Sequence, residues 1–316
     1  MRNLGDKSIQ FVRPDDTRWD WLVERASNGS FLHSTEFLAQ HGNRFREQIC
    51  LVVDQVDAPV AGFRYAVDGG TAVSHPGSTF GGIILRKGSR ASDSVDAVHQ
   101  LLDAVRRSGI ASISMRPMPC LLRAERDESD LYALHRAGAR VVRRDLSTIV
   151  FLNDLPQFST LRKRQIRKAT RLGVRVYRSF ESGTFHIILA SALRRHNAHP
   201  VHSVEDLNLL LCRFPNVVKL YLADAGDQQP VAGVLLFDFG HFVHTQYMAA
   251  SDIGREVGAL DFIISQIVEE HVGHRSLLSF GISTEDDGRS LNTGLVGYKQ
   301  SYGGLSQAID TYSLRF

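Results

Sequence analysis

Apolar and polar positions along the chain repeat one pattern twice. Around Pro59-Val60-Ala61-Gly62 an apolar run ends near an Asp ("ICLVVD"). A polar turn follows, then PVAG and a second run, a tight Asp/Gly turn and a third run. Around Pro230-Val231-Ala232-Gly233 the same order recurs as "KLYLAD", a polar turn, "PVAGVLLFDFG" and "HFVHTQYMAA". The Gly and Asp of these turns supply the backbone angles that hairpins need. Pro59 and Pro230 stand at strand starts, where a missing N–H is tolerated. After the first meander, Val95, Val98, Leu101, Leu102 and Val105 recur at helical spacing, and "IASISM" reads as a strand. After the second, "VGALDFIISQIVEEHVG" reads as a helix and "SLLSFG" as a strand. Helical patterns also precede each meander: "TRWDWLVERASN" in the first half, "TFHIILASALRRHN" and "VEDLNLLLCRF" in the second. The pattern predicts two related α/β domains in tandem, residues 1–152 and 153–316. Pro156 is expected to open a helix at the start of the second.

Composition changes this picture little. The 316 residues are 43% apolar and 22% charged, with a formal charge of +3, so any polyanion contact must come from a local patch. No apolar run is long enough to span a bilayer, and the first residues lack a signal-peptide core, so a cytoplasmic location is expected. Cys50, Cys120 and Cys212 have neither metal nor disulfide-framework spacing. The strongest charge cluster is "RKRQIRKATR", where Arg162, Lys163, Arg164, Arg167, Lys168 and Arg171 ring a helix whose other side holds Leu161, Gln165, Ile166 and Ala169. Such a cluster suits RNA or phosphate binding, and equally a solvated helix face.

Two stretches carry a resemblance. "RKRQIRKATRLGVRV" is similar to the basic helix that opens the second domain of FemABX-like proteins. "SFGISTEDDGRSLNTGLVGYKQSYGG" resembles their C-terminal signature, with the pair Tyr298-Lys299 and the end Tyr302-Gly303-Gly304. Together with the layout, this resembles a FemABX-like tandem GNAT acyltransferase. The resemblance implies an α/β (α+β) fold of two GNAT-like domains, each a mixed, mostly antiparallel sheet flanked by helices. It also implies N-acyl transfer from acyl-CoA to an amine on a sugar, nucleotide-sugar or cell-envelope precursor. Alternatives are aminoacyl-tRNA as donor, with the basic helix as tRNA contact, and a non-catalytic nucleic-acid or polysaccharide-binding protein.

Acyl transfer to an amine needs a proton acceptor and donors for the oxyanion. By the resemblance, Lys299 supports developing negative charge and Tyr298 packs beside the donor. Glu285 and His199 are candidate proton carriers. "GREVGAL" partly matches the GNAT phosphate turn, which makes Gly254, Arg255 and Gly258 candidate donor contacts, although Leu260 stands where that motif has Gly or Ala. Arg195 lies four residues before His199, on one face if both are helical. Gln246 and Tyr247 on "HFVHTQYMAA" are candidate acceptor contacts. Strict alternation there puts His244, Gln246 and Met248 on one face and Val243, Thr245 and Tyr247 on the other. Arg289 and Asn292 follow the acidic loop. His75, Ser78 and Thr79 border a glycine loop expected to be flexible. His196, His199 and His202 invite a metal reading, but Pro200 breaks the helix and no carboxylate or Cys follows at suitable spacing, so no metal is expected. Zinc in the purified protein would support a third reading, a metal-dependent hydrolase.

Overall fold

A computed structural model describes residues 7–195, 198–226 and 229–316, with Asn43 described by its backbone alone. It divides into two compact units, Met1–Asp145 with Ala308–Phe316, and Leu146–Gln307. The first contains β1 (Ser8–Val12), α1 (Thr17–Glu24), α2 (Thr35–Leu38), β2 (Glu47–Val53), β3 (Pro59–Asp68), β4 (Thr71–Ser74), β5 (Ile83–Leu85), α3 (Ala91–Arg107), β6 (Ser112–Met115) and α4 (Ser129–Arg136). The division falls inside β7 (Arg140–Phe151). The second unit continues with α5 (Thr160–Arg171), β8 (Val174–Ser179), α6 (Ser182–Arg194), α7 (Val204–Arg213), β9 (Val218–Ala225), β10 (Ala232–Asp238), β11 (Phe242–Ala250), α8 (Asp252–Val257), α9 (Ala259–His271), β12 (Leu277–Ile282), β13 (Thr284–Glu285), β14 (Ser290–Leu291) and α10 (Thr293–Gln300). The division falls again inside β15 (Leu305–Arg315).

The strand order in the first unit is β1-β2-β3-β4-β6-β15, with β5 also on β3; in the second it is β8-β9-β10-β11-β12-β7. In each, one neighbouring pair is parallel, β4 with β6 and β11 with β12, and the other pairs are antiparallel. The last strand of the first unit's sheet is the C-terminal strand of the chain, joined as Tyr312↔Met115 to Arg315↔Ser112. The last strand of the second is β7, which follows α4. No single cut of the sequence therefore separates the units.

Both faces of each sheet are covered, which is why the strands read as nearly unbroken apolar runs. In β2, Cys50 and Val52 meet α3 through Val98, Leu101 and Val105. Ile49, Leu51 and Val53 meet α1 through Trp19, Leu22 and Val23. In the second unit Val234 and Leu236 pack on Ile263, Ile264 and Ile267 of α9.

The repeated PVAG has a packing cause. Gly62 lies opposite Leu51, and Gly233 opposite Leu222. A Cβ on Gly62 would come within 2.9 Å of Leu22 and Leu51 and 3.0 Å of Trp19. A Cβ on Gly233 would come within 2.5 Å of Phe185 and 2.9 Å of Leu222. In both copies the glycine lets the helix before the meander seat an aromatic ring on the sheet.

Two sequence expectations fail locally. Pro156 does not open a helix: α5 starts at Thr160, with the Ser159 hydroxyl accepting from Arg162 N–H and Ser159 N–H donating to Ser301 O. Within α5, Ala169 is buried but Leu161 is 44% exposed, so the apolar side is narrower than the pattern suggests.

Candidate active site

In the second unit β11 and β12 pair at Phe242↔Leu277, Val243↔Leu278 and His244↔Ser279, and there the ladder ends. β11 runs on to Ala250 and β12 to Ile282 without pairing to each other. A β-bulge accompanies this splay: Leu236 faces Thr245 and Leu235 faces Tyr247, so Gln246 has no opposite residue. The bulge overturns the strict alternation expected of β11. Val243 and Met248 pack in the same core as α9, because one extra residue inverts the parity beyond Thr245. His244 and Tyr247 are thereby left on the opposite face.

Lys299 reaches the mouth of the splay. It is 3% exposed, and its Nζ donates to Gly281 O at 3.0 Å and Ile282 O at 2.5 Å. Burial pulls its amine down to about 8. Such an amine can give or take a proton near neutrality, and in its charged form keeps a third N–H beyond the two carbonyl bonds. His244 is buried beside it, with Nδ1 3.0 Å from Ser279 Oγ. Burial, then the Lys299 charge, lowers His244 to about 4.

α10 carries Lys299 and is anchored at its start. Asn292 Oδ1 accepts from Leu295 N–H at 2.9 Å as the N-cap, while Asn292 Nδ2 donates to Glu285 at 2.8 Å. Asn292 is thus a helix cap, and Glu285 is an exposed partner of that cap on the β13–β14 hairpin. Arg289 is exposed on the same hairpin. The other end of α10 is fixed by a buried network. Asp261 accepts from both Arg162 and the Tyr302 hydroxyl, and Tyr302 lies 2.9 Å from Tyr298 across their hydroxyls. The Arg162 guanidinium stacks 4.9 Å over the Tyr298 ring. Burial, together with the nearby Asp261 charge, holds both phenols well above their usual range.

The remaining predicted residues fall in several places. Tyr247 Oη is 2.6 Å from His202 Nδ1, and burial raises its phenol. Gln246 is half-buried at the bulge. His199 does not share a helix face with Arg195, because α6 stops at Arg194 and His199 lies exposed in the following loop. His196 lies outside the described residues. Arg195 pairs with Asp252 at 3.1 Å, and Arg255 meets the same carboxylate. Both glycines of "GREVGAL" are packed: a Cβ on Gly254 would lie 2.2 Å from Val231 O, and one on Gly258 2.7 Å from Gln165 O. α5 therefore lies directly on the turn that leads into α9. Within α5, Arg162 is bound to Asp261 and Lys168 donates to Glu256 O at 2.7 Å. Lys163, Arg164, Arg167 and Arg171 are exposed, lie within about 100° of helix arc, and have no ion-pair partner among the described residues.

The matching splay of the first unit is closed by its own chain. β4 and β6 pair over three rungs, Thr71↔Ser112 to Val73↔Ser114, as β11 and β12 do. Beyond them the loop from Gly77 to Gly82, expected to be flexible, packs into the structure. Gly81 N–H donates to Arg116 O at 2.8 Å, Gly82 N–H to Ser74 Oγ at 2.6 Å, and Phe80 is 1% exposed. His75 is buried at a left-handed φ of 43°, its Nδ1 2.8 Å from Ser74 Oγ. Burial, then the neighbouring His33 and Arg64, hold it well below the usual imidazole range. Ser78 reaches Leu32 O at 3.4 Å, and Thr79 is half-buried in the same loop.

Sequence reasoning missed Ser279 and Asp261, considered His202 only as a metal ligand and not as the partner of Tyr247, and gave His244 no role. Only the polar letters on an otherwise apolar strand pointed to His244. Among the described residues no group of three His, Cys, Asp or Glu is placed to hold a metal ion, and no helix is long and apolar enough to cross a membrane. A groove of 630 Å³ between β8 and α9, lined by Tyr177, Asp224 and Phe262, contains none of the splay residues.

No protein-family model matches the chain, and no curated protein matches it. Solved structures do. FemX matches with a TM-score of 0.67 at 13% identity, over 97% of this chain and 97% of that one. L-PGS from Bacillus licheniformis matches at 0.61 and 13% identity, over 96% and 92%. A tandem GNAT protein from the clavulanic acid biosynthesis pathway matches at 0.51 and 10% identity, over 98% of each. The two related units, each with one parallel pair that splays, together with these likenesses, give the chain the FemABX-like tandem GNAT fold.

Proposed function

We propose that the chain is a transferase that moves an acyl or aminoacyl group onto an amine, with the second unit as its catalytic unit. The observation that carries this reading is Lys299. A buried amine, lowered by burial to about 8, sits on two backbone carbonyls where β11 and β12 part. A carbonyl entering there meets a donor already in place. The acceptor is read as an amine on a sugar, nucleotide-sugar or cell-envelope precursor.

A second reading concerns the donor. Acyl-CoA would seat its pyrophosphate on the turn at Gly258, and α5 lies on that turn with Gln165 O. The four unpaired cations of α5 favour a polyanionic donor instead, which makes aminoacyl-tRNA the better-supported one. Calorimetric titration of acetyl-CoA and filter binding of charged tRNA decide between them. The expected result is tRNA binding that weakens in a Lys163→Glu, Arg167→Glu, Arg171→Glu variant and shows a shallower salt slope. Micromolar acetyl-CoA binding that is lost in Arg255→Ala would overturn the tRNA reading. Loss of transfer in Lys299→Met supports the transferase; undiminished transfer in that variant refutes the role given to Lys299.

A further inference from the structure

We propose that His244 is a neutral hydrogen-bond donor to the oxygen of the transferred acyl carbonyl, with Nε2–H as the donating group. The inference rests on the acyl-transfer reading above. His244 occupies the last rung before β11 and β12 part, opposite Ser279. Gly281 N–H donates to Ser279 Oγ at 3.4 Å, and Ser279 Oγ is 3.0 Å from His244 Nδ1. Gly281 N–H occupies one lone pair of the serine oxygen, and the serine hydroxyl is taken as the donor to Nδ1. With that direction the proton of the neutral ring sits on Nε2, the assignment that ¹⁵N-histidine NMR tests. The Nδ1–Ser279 bond is the only side-chain hydrogen bond that His244 makes among the described residues, and Nε2 makes none.

The edge of the ring is turned toward a position where the chain has no side chain. A Cβ on Gly281 would lie 3.3 Å from His244 Cε1 and 3.8 Å from Nε2. Gly281 also has a φ of 69°, which a side chain would strain. Its carbonyl holds Lys299 Nζ, so the imidazole edge and the amine converge on one residue. Burial, then the Lys299 charge, keeps the ring neutral, and a neutral N–H donor holds its place without taking up a proton during reaction. In the step it serves, the amine nitrogen forms the new C–N bond and the carbonyl π pair moves onto oxygen. That pair then returns as the bond to the leaving oxygen or sulfur breaks. The leaving atom takes the bonding pair and ends with the proton lost by the amine. His244 keeps its own proton throughout.

The test uses the full chain labelled with ¹⁵N-histidine. The expected NMR spectrum shows His244 as the Nε2–H tautomer, neutral to below pH 5. Ser279→Ala should mix the tautomers, and Lys299→Met should raise the pH at which the ring titrates. An Nδ1–H tautomer, or ordinary titration near 6.5, overturns the proposal. The kinetic arm uses acetyl-CoA and alanyl-tRNA as donors with hydroxylamine as the amine. His244→Leu is expected to lower kcat roughly 10²–10³-fold with KM little changed, the range seen when one oxyanion donor is removed. His244→Gln, which keeps a neutral N–H, should recover part of the loss. Turnover that survives His244→Leu refutes His244 alone. Absence of wild-type turnover with either donor overturns the acyl-transfer reading, and with it the ligand assigned here.

Discussion

Replacing Gly233 by Ala tests the packing explanation of the repeated PVAG. The added methyl would sit 2.5 Å from Phe185 Cδ2, 3.0 Å from its Cε2 and 2.9 Å from Leu222 Cδ2. Phe185 is fully buried, so the ring has no free space to swing into. Overpacking of this kind costs about 1–3 kcal/mol. Against it, Ala restricts the unfolded chain and favours folding by about 0.4–1 kcal/mol, since Gly233 does not require a positive φ. The net expectation is a loss of about 1–2 kcal/mol in the second unit, or roughly 2–4 °C per kcal/mol in its melting temperature. The matching change, Gly62→Ala, should destabilise the first unit. Both tryptophans, Trp19 and Trp21, lie on α1, so their fluorescence follows that unit while circular dichroism follows the whole chain. Gly62→Ala should therefore shift the fluorescence transition, and the effect of Gly233→Ala is read from the dichroic one. Adding Phe185→Leu to Gly233→Ala should cost less than the sum of the two single changes, since the methyl and the ring compete for one space. A midpoint that is unchanged or raised by Gly233→Ala, or strict additivity with Phe185→Leu, would refute the reasoning.

Other expectations are as direct. His33 and His244 are held neutral by burial, each down to about 4 from an ordinary 6.5. The unfolded chain therefore binds protons first as pH falls below about 6.5. Stability is full above that pH and declines toward pH 4, by up to about 3 kcal/mol for each ring. Denaturant midpoints from pH 7 to 4 should show the decline and His33→Gln should flatten it; equal acid sensitivity in that variant would count against the assignment. Asn292→Ala removes the N-cap of α10, costing about 1 kcal/mol. By loosening Lys299 it should also lower transfer by up to roughly 10²-fold, which single-turnover assays would detect. Asp261→Ala leaves Arg162 and Tyr302 without their shared acceptor. A loss of about 3–5 kcal/mol is expected, read from urea titration, and a loss under 1 kcal/mol would show that the network is not a buried pair in solution.

The elements that could be read from the sequence are those set by local periodicity. α3 and α9 follow the spacing of their apolar residues, and the meanders follow their turns. What could not be read depends on distant partners. That β15 closes the first unit's sheet is a matter of which strand lies beside β6, and no residue within β15 records it. The bulge at Gln246 is one residue long and reverses which letters face α9, so a period-two reading fails beyond Thr245. Arg162 reads as one more cation in a cluster, because its partner Asp261 is 99 residues away. Gly254 and Gly258 read as a phosphate turn for a physical reason. Glycine is needed wherever a backbone must be approached closely, and the letter does not say whether a phosphate or a carbonyl oxygen approaches. Lys299 stood out through its neighbour Tyr298, but its burial and its two carbonyl partners depend on the end of β12.

Two equivalent splays with different contents bear on which unit holds the acyl donor. In the first unit β4 ends at Ser74, and His75 turns the chain back at positive φ, so the loop that follows supplies backbone N–H groups to Arg116 O and Ser74 Oγ. Clearing that space for a ligand would expose Phe80, at a cost of about 1.5–3 kcal/mol, and break at least two buried hydrogen bonds at about 1 kcal/mol each. A ligand would have to offset several kcal/mol before gaining any affinity. In the second unit β11 does not turn back. The bulge at Gln246 carries the strand on to Ala250, and the mouth is met by the ends of two side chains, Lys299 and His244. The same sheet topology is thus filled by a packed loop in the first unit and bordered by Lys299 and His244 in the second, which supports the proposal that the second is the catalytic unit.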